Sequence, residues 1–282
     1  MANEEQIEYW NGDAGKRWAH DDDIMARLLL PVSKALLDHA SVGTCQRALD
    51  VGCGGGSQSM MLAQRLSADA RVLGVDISGP LLEVARSKIA TGHSGAQVDF
   101  LQADAASFEF AANSFDLLFS RFGVMFFDDP VAAFRNMRSA MTKPGRLAFS
   151  CWQAMKSNEW TWIPIQTALQ HLPPPEPPVP NAPGPFAFAN PTRLESILTE
   201  AGFADIHLHS FNTTLRISEA ATLTQAVQDL ARIGPMGRLL QDQSQAALDK
   251  VYPAMETALQ PFFKPGALEM DSAIWLVTAS NS

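Results

Sequence analysis

The chain has 282 residues, with 21 Lys and Arg against 30 Asp and Glu and a formal net charge of −9. That length holds one large α/β domain or two smaller ones around a sizeable core, and the charge has the wrong sign for a surface that neutralises nucleic-acid phosphates. Hydrophobic residues make up 46% and charged residues 18%, which excludes wholesale disorder, and Cys45, Cys53 and Cys151 are too far apart for a zinc knuckle or a redox pair.

The first six residues are acidic and lack the basic and apolar regions of a signal peptide. No run approaches the roughly 18 apolar residues of a membrane span. A cytoplasmic protein with no membrane or nucleic-acid partner is expected.

Residues 1–45 read as a helical leader. Within 24–40 the apolar positions recur at helical spacing and Pro31 divides the helix. From residue 46 strand-like runs (Arg47–Val51, Val72–Val75, Val98–Leu101, Phe115–Ser120 and Arg146–Trp152) alternate with helical stretches at 57–67, 79–90 and 130–141. Pro80 and Pro130 fall where a first helical turn tolerates them. Strand and helix in alternation predict a doubly wound parallel sheet over 46–152, covered by helices on both faces.

After Trp152 the rhythm breaks, and residues 173–185 contain eight prolines. This segment reads either as a stiff surface linker or as a rigid lid that points Phe186 and Phe188 into a pocket. Beyond it a helix over 191–201, a strand over Ala204–His209, helices over 219–233 and 241–260 and a last strand over Ala273–Ala279 are expected to complete the same domain. Residues 153–282 thus form a proline-rich insertion, a helical cap and final strands.

The densest information lies between Ala48 and Gln58, a strand running through Gly52, Gly54 and Gly56 into a helix. Backbone N–H groups at such a helix start accept an anionic or polar group, and the missing β-carbons let it come close. The second strand ends in Asp76, 24 residues beyond Gly52, where a carboxylate can accept ribose hydroxyls. The third strand runs into Asp104 and the fourth ends at Ser120 and Arg121, all at carboxyl ends where open α/β sheets bind ligands.

At these residues the sequence resembles the class I S-adenosylmethionine-dependent methyltransferases, specifically a bacterial small-molecule group with Asp-x-Gly-x-Gly-x-Gly and a lysine/proline/glycine turn, here Met141–Leu147 with Lys143, Pro144 and Gly145. The resemblance covers most of residues 9–152. It implies a seven-stranded sheet in the order 3-2-1-4-5-7-6 with the last strand antiparallel, and S-adenosylmethionine as cofactor. Asp50, Gly52, Gly54 and Gly56 would hold its methionine part, Asp76 its ribose, and Ile77 would lie against adenine. Asp104 would accept from the adenine amino group, with the Ala105 backbone at the ring edge. Ser120 and Arg121 would stand near the sulfonium and the acceptor. The leader's Tyr9, Trp10 and Trp18 resemble an aromatic segment that folds over the cofactor, where ring faces attract a sulfonium and exclude water; the alternative is that they anchor the terminal arm.

Methyl transfer needs an in-line approach in a dry pocket and no protein nucleophile. A hydroxyl acceptor would bring in a base. Of His20, His39, His93, His171, His207 and His209, the better placed are His20, beside Asp21–Asp23, and His171, opening the proline segment, while His39 and His93 read as surface residues. The acidic triplet reads as a solvated helix start, and no metal is expected. Phe122, Met125, Trp152, Phe186, Phe188 and Met236, with Trp160 and Trp162, could line an apolar acceptor cavity, and Arg121 or Arg232 could supply its polar contacts. This favours a small hydrophobic or aromatic acceptor, O-methylated, by a monomer or homodimer. The alternatives are a C-methyltransferase on a quinone-type ring, a non-catalytic cofactor-binding protein and an NAD-dependent oxidoreductase. Quinone-ring enzymes carry an Asn-Val-Thr-Asp-like run after the fourth strand, where this chain has Ser120–Gly123. Against the oxidoreductase, Ser57 stands where Gly-x-Gly-x-x-Gly needs its last glycine.

Overall fold

The leader folds as four short helices, α1 (Glu4–Asn11), α2 (Asp13–His20), α3 (Asp22–Leu28) and α4 (Leu30–His39), in a computed structural model that describes residues 3–90, 92, 95–173, 179 and 181–282. Leu29 separates α3 from α4, and Pro31 occupies the first turn of α4, where no backbone N–H is needed. Next come β1 (Arg47–Val51), α5 (Ser57–Arg65), β2 (Arg71–Asp76), α6 (Gly79–Ala90), β3 (Gln97–Gln102), β4 (Phe115–Arg121), α7 (Pro130–Ser139) and β5 (Met141–Trp152). The chain continues through α8 (Glu159–Ala168), α9 (Pro191–Glu200), β6 (Ala204–Ser218), α10 (Leu223–Leu230), α11 (Gly234–Leu240), α12 (Gln245–Leu259), β7 (Phe263–Lys264) and β8 (Ala267–Asn281).

The strands form one sheet in the order β3-β2-β1-β4-β5-β8-β6, with β7 paired to β8. β1 to β5 run parallel, in a register that sets Ala48 beside Val72 on one side and Leu117 on the other. β8 is antiparallel. Leu49, Val75, Leu117, Leu118, Phe119, Leu147 and Phe149 are fully buried, as expected of central strands covered on both faces. Each such side chain contributes about 1.5–3 kcal/mol relative to exposure.

Local chemistry sets the helix starts. Asp129, Asn190, Thr222 and Ser244 each accept, through the side chain, a backbone N–H of the first turn of α7, α9, α10 and α12 respectively. Pro130 and Pro191 follow two of these caps.

The chain clusters into two compact units. One holds the residues up to Trp152 together with Pro183–Ser210 and Trp275–Ser282. The other holds Gln153–Ala182 and Phe211–Ile274, with α8 packed on α11 and α12, and α10 packed on α12. Within that second unit Trp160 and Met236 are buried, and the Trp160 ring lies against Gly234.

Several elements depart from the sequence expectation. β5 starts at Met141 rather than Arg146, because the Lys143–Gly145 turn is drawn into the strand. β6 continues past His209 to Ser218, since Phe211, Thr213, Leu215 and Ile217 alternate with polar residues on its second half. Helix α8 was not expected, as Pro164 and the aromatic residues of 159–168 mask its periodicity. The cap region carries three helices rather than two, divided before Gly234 and Pro235 and again before the Ser244 cap. His93 and most of the proline run, at 174–178 and 180, lie outside the described residues. Among the described residues no helix is long and apolar enough to cross a membrane.

Candidate active site

β1 ends at Val51 and the chain turns through Gly52, Gly54 and Gly56, whose φ angles of 66°, 54° and 78° only glycine adopts without strain. At Gly52 a β-carbon would come 2.6 Å from Gly123 Cα, so the turn after β4 packs directly on the loop. At Gly54 a β-carbon would meet nothing within 4 Å, so the loop faces open space there. The amides of Gly52 and Cys53 are tied back to Val75 O at 2.8 and 3.2 Å, which fixes the loop against β2.

Asp76 ends β2 half-buried, its Oδ2 accepting from Gly54 N and its Oδ1 from Ser78 N, both at 2.8 Å. Burial pushes its carboxyl up from the ordinary range, against the pull of these amides. Beyond β3, Asp104 Oδ1 accepts from Ala106 N at 3.0 Å and from the Asn3 side chain at 2.9 Å. Ile77 O accepts from Asn11 Nδ2 and Gln102 Nε2, and buried Ala105 offers its carbonyl to Asn136.

The leader crosses these strand ends. Trp10 O accepts from Ser78 Oγ at 2.7 Å, and the Trp10 ring meets Tyr9, Trp18 and Phe126 edge-on at 5.3, 5.6 and 5.7 Å between centroids. Asn3 accepts Asp128 N and donates its own backbone N–H to the Asp128 carboxylate. Asn3 and Asn11 carried no sequence signal, because isolated asparagines in a polar leader read as solvated.

Under the loop lies a buried charge system. Asp50, 1% exposed, accepts from Ser59 Oγ at 2.6 Å, while its Oδ1 has no partner among the described residues. Burial pushes its carboxyl up to about 7, with Ser59 and Arg121 pulling the other way. Arg121 donates to Ser33 Oγ at 2.8 Å, and burial lowers its pKa against the attraction of Asp50 and Asp22. Ser120 Oγ donates to Val51 O at 2.7 Å and accepts from Gly123 N, holding β4 to the start of the loop.

The methyltransferase domain family matches residues 48–145, from β1 to the turn in β5. Aklanonic acid methyltransferase of Streptomyces sp. strain C5 is 29% identical over 159 residues, 54% of this chain and 71% of that protein. Demethylmenaquinone methyltransferase of Staphylococcus aureus strain JH9 is 30% identical over 238 residues, 74% of this chain and 90% of that protein. The chain belongs to the class I S-adenosylmethionine-dependent methyltransferases. Its fold is also that of phosphoethanolamine N-methyltransferase 2 of Haemonchus contortus, solved with phosphomonomethylethanolamine and S-adenosylhomocysteine, at a TM-score of 0.58 and 18% identity over 96% of this chain and 58% of that one.

In this methyltransferase the residues singled out for the acceptor divide between the two units. In the first, Phe122 has a φ of 65°, a conformation a bulky residue adopts only under constraint, and its ring stacks on Trp152 at 4.2 Å and 8°. Met125 is buried, with its carbonyl accepting Gly184 N. Phe186 is half-buried, whereas Phe188 sits in the core against Phe134 and Phe149. In the second unit Met236 and Trp160 are buried and Trp162, His171 and Arg232 are exposed. His20 is exposed on the last turn of α2. His39 departs from the surface position expected of it: it is half-buried and its ring stacks on His209 at 5.3 Å. With Arg146 and Asp205 it lines a cavity of about 230 Å³, and Arg146 pairs with Leu117 near the start of β4, away from the strand ends.

Asp22 also departs from expectation. The acidic triplet reads as solvated in sequence, yet Asp22 turns inward against Gly55 and forms an ion pair with Lys88 of α6.

Proposed function

We propose that this chain binds S-adenosylmethionine across the carboxyl ends of β1 to β4 and transfers its methyl group to a small hydrophobic or aromatic acceptor, with an oxygen acceptor favoured. The cofactor supplies a methyl group on a sulfonium, a leaving group that needs no further activation. The protein's share is position and dryness. Gly52 and Gly56 let the loop pack closely on Gly123 and on Phe100 and Ala85, and the open space before Gly54 fits the methionine part. Asp76 supplies acceptors for the ribose hydroxyls, and Asp104 one for the adenine amino group, with Ile77 and Ala105 at the ring. Tyr9, Trp10 and Trp18 exclude water from above.

The observation that carries the acceptor class is the stacked pair of Phe122 and Trp152 at the ends of β4 and β5, one of them held at a positive φ beside the glycine loop. A flat, rigid, apolar wall beside the reacting centre suits a flat acceptor. His20 and His171 are exposed, so an acceptor that arrives already ionised, a carboxylate or an acidic phenol, fits better than a neutral alcohol that waits for a base. Similarity to a methyltransferase named for an acid, aklanonic acid, supports this reading. Similarity over 74% of the chain to a demethylmenaquinone methyltransferase supports the second one, methylation of a quinone-type ring carbon.

Titration calorimetry with S-adenosylmethionine, S-adenosylhomocysteine and NADH tests the cofactor. Micromolar binding of the first two and none of the third is expected, and binding of NADH alone would overturn the proposal. Transfer of a labelled methyl group to aromatic carboxylic acids, phenols and quinols then ranks the acceptors, and labelling of quinol carbon alone would select the second reading.

A further inference from the structure

The cavity of about 230 Å³ beside His39 lies wholly within the first unit and is lined from the end of α4 and from β5, β6 and β8. It stands apart from the crevice: Arg146 pairs with Leu117, which pairs in turn with Ala48 in the first half of β1. Its surroundings gather cationic groups. Asp205, His207 and His209 alternate along β6 and so share one face of that strand, and the His39 ring stacks on His209 at 5.3 Å. From β5 comes Arg146, whose Nη2 donates to Ser41 O and which has further N–H donors to offer. His39 Nε2 is buried and has no hydrogen-bond partner among the described residues, a costly state for a polar atom. Burial, and after it the imidazoles of His209 and His207, lower the pKa of His39. Asp205, the one carboxylate among the described lining residues, accepts from Ser280 Oγ at 2.7 Å.

We infer that this cavity binds a small doubly charged oxyanion of the sulfate or phosphate class, held by Arg146 and His39 and separate from the methyl-transfer crevice. The space is smaller than the roughly 300–1,000 Å³ of pockets for drug-sized ligands and equals that of about seven waters at ~30 Å³ each. It has room for a tetrahedral ion with some of its water and not for a nucleoside. Such an ion accepts from the planar fork of Arg146 and gives a protonated His39 Nε2 the acceptor it lacks. Its charge offsets the mutual repulsion of His39, His207 and His209, so binding raises their proton affinity, and by linkage binding tightens as the pH falls through the imidazole range. The other charges nearby set the limits. Asp38 of α4 is paired with Arg65 and draws on neither group, whereas Asp205 opposes the anion. The β8 residues Thr278 and Ser280 carry no charge. Because His39 belongs to α4 and Arg146 to β5, the bound ion ties the last helix of the leader to the sheet.

Titration calorimetry of the full chain with sodium sulfate, in sodium chloride of matched ionic strength, tests the site, because sulfate keeps one charge state between about pH 6 and pH 8. Saturable binding is expected at pH 6 and at least tenfold weaker binding at pH 8. Arg146→Gln and His39→Gln should each weaken sulfate at least tenfold at pH 6. Asp205→Asn removes the opposing charge at a φ of 49° that asparagine tolerates, so it should bind sulfate at least threefold more tightly, a gain that general loosening of the structure does not produce. Competition by inorganic phosphate and by glycerol 3-phosphate then tells a free ion from a phosphate monoester, and either supports the site. The absence of saturable binding at pH 6 would overturn the inference. So would binding that is equal at both pH values and survives both glutamine variants, or an Asp205→Asn variant that binds no more tightly than the native protein.

Discussion

The side-chain amide of Asn3 donates to Asp104 Oδ1 at 2.9 Å across 101 residues of chain. Asn3 is 3% exposed and also exchanges two hydrogen bonds with Asp128, so the start of α1 is fastened beyond β3 and β4 at once. The carboxylate keeps acceptor capacity on Oδ2, where Ser107 Oγ lies 3.3 Å away. Fastening the leader and receiving an adenine amino group are therefore compatible. Asn3→Ala should speed dissociation of S-adenosylhomocysteine roughly three- to tenfold, the equivalent of about 0.7–1.4 kcal/mol. Stopped-flow displacement measures this, and an unchanged off-rate would show that Asn3 does not hold the leader closed.

Asp76 bonds the Gly54 and Ser78 amides with one carboxylate oxygen each, so the same group shapes the loop and faces the crevice. Removing it frees the Gly54 and Ser78 amides and deletes both acceptors proposed for the ribose. Asp76→Ala should weaken S-adenosylhomocysteine at least a hundredfold, or about 2.8 kcal/mol. Asp76→Asn, which keeps one acceptor oxygen, should lose less. Calorimetry that finds the alanine variant within twofold of the native protein would take Asp76 out of the site.

How much of this was legible in the sequence follows the range over which each requirement acts. The turn at Gly52, Gly54 and Gly56 is encoded by residues that must be glycine where they stand, and Asp76 follows at the end of the next strand, so both could be read directly. The pair of Asp22 and Lys88 is separated by 66 residues and belongs to no periodic pattern; each reads alone as a solvated surface charge. Asn3 was hidden in the same way. The parallel strands were legible because burial on both faces makes them continuous apolar runs, whereas the second half of β6 alternates and carries threonines. Phe122 and Met125 were legible as a loop rich in Phe and Met, but the left-handed backbone of Phe122 and its stack on Trp152 were not, because nothing local in Ser120–Gly123 demands a positive φ at a phenylalanine.

If that stack is the acceptor wall proposed above, Phe122 variants affect the acceptor and spare the cofactor. Phe122→Ala and Phe122→Gly both delete the ring, and the glycine variant also relieves the left-handed strain, so it should be more stable than the alanine variant by about 1 kcal/mol. Both should raise the acceptor KM about tenfold and leave S-adenosylhomocysteine affinity within twofold. Urea denaturation and steady-state kinetics read the two effects separately. A parallel loss of cofactor affinity would move Phe122 from the acceptor side of the site to the cofactor side.

Asp50 makes the stability of the ligand-free protein depend on pH. Its carboxyl has an ordinary value of 3.8 unfolded and is pushed up to about 7 by burial in the native state. Between these values the native protein holds the proton that the unfolded chain has released. Stability from this group is therefore complete below about pH 4 and is lost as the pH rises through 7, at up to about 1.4 kcal/mol per pH unit. Arg121 limits the loss by its attraction to the ionised form. Asp50→Asn keeps an acceptor for Ser59 Oγ and carries no titrating proton, so urea unfolding followed from pH 4.5 to 8 should show a flatter profile, with the variant gaining on the native protein towards the alkaline end. Asp76, raised in the same direction, leaves a residual slope. Parallel profiles would mean that Asp50 is ionised throughout, held as a salt partner of Arg121 rather than as a buried acid.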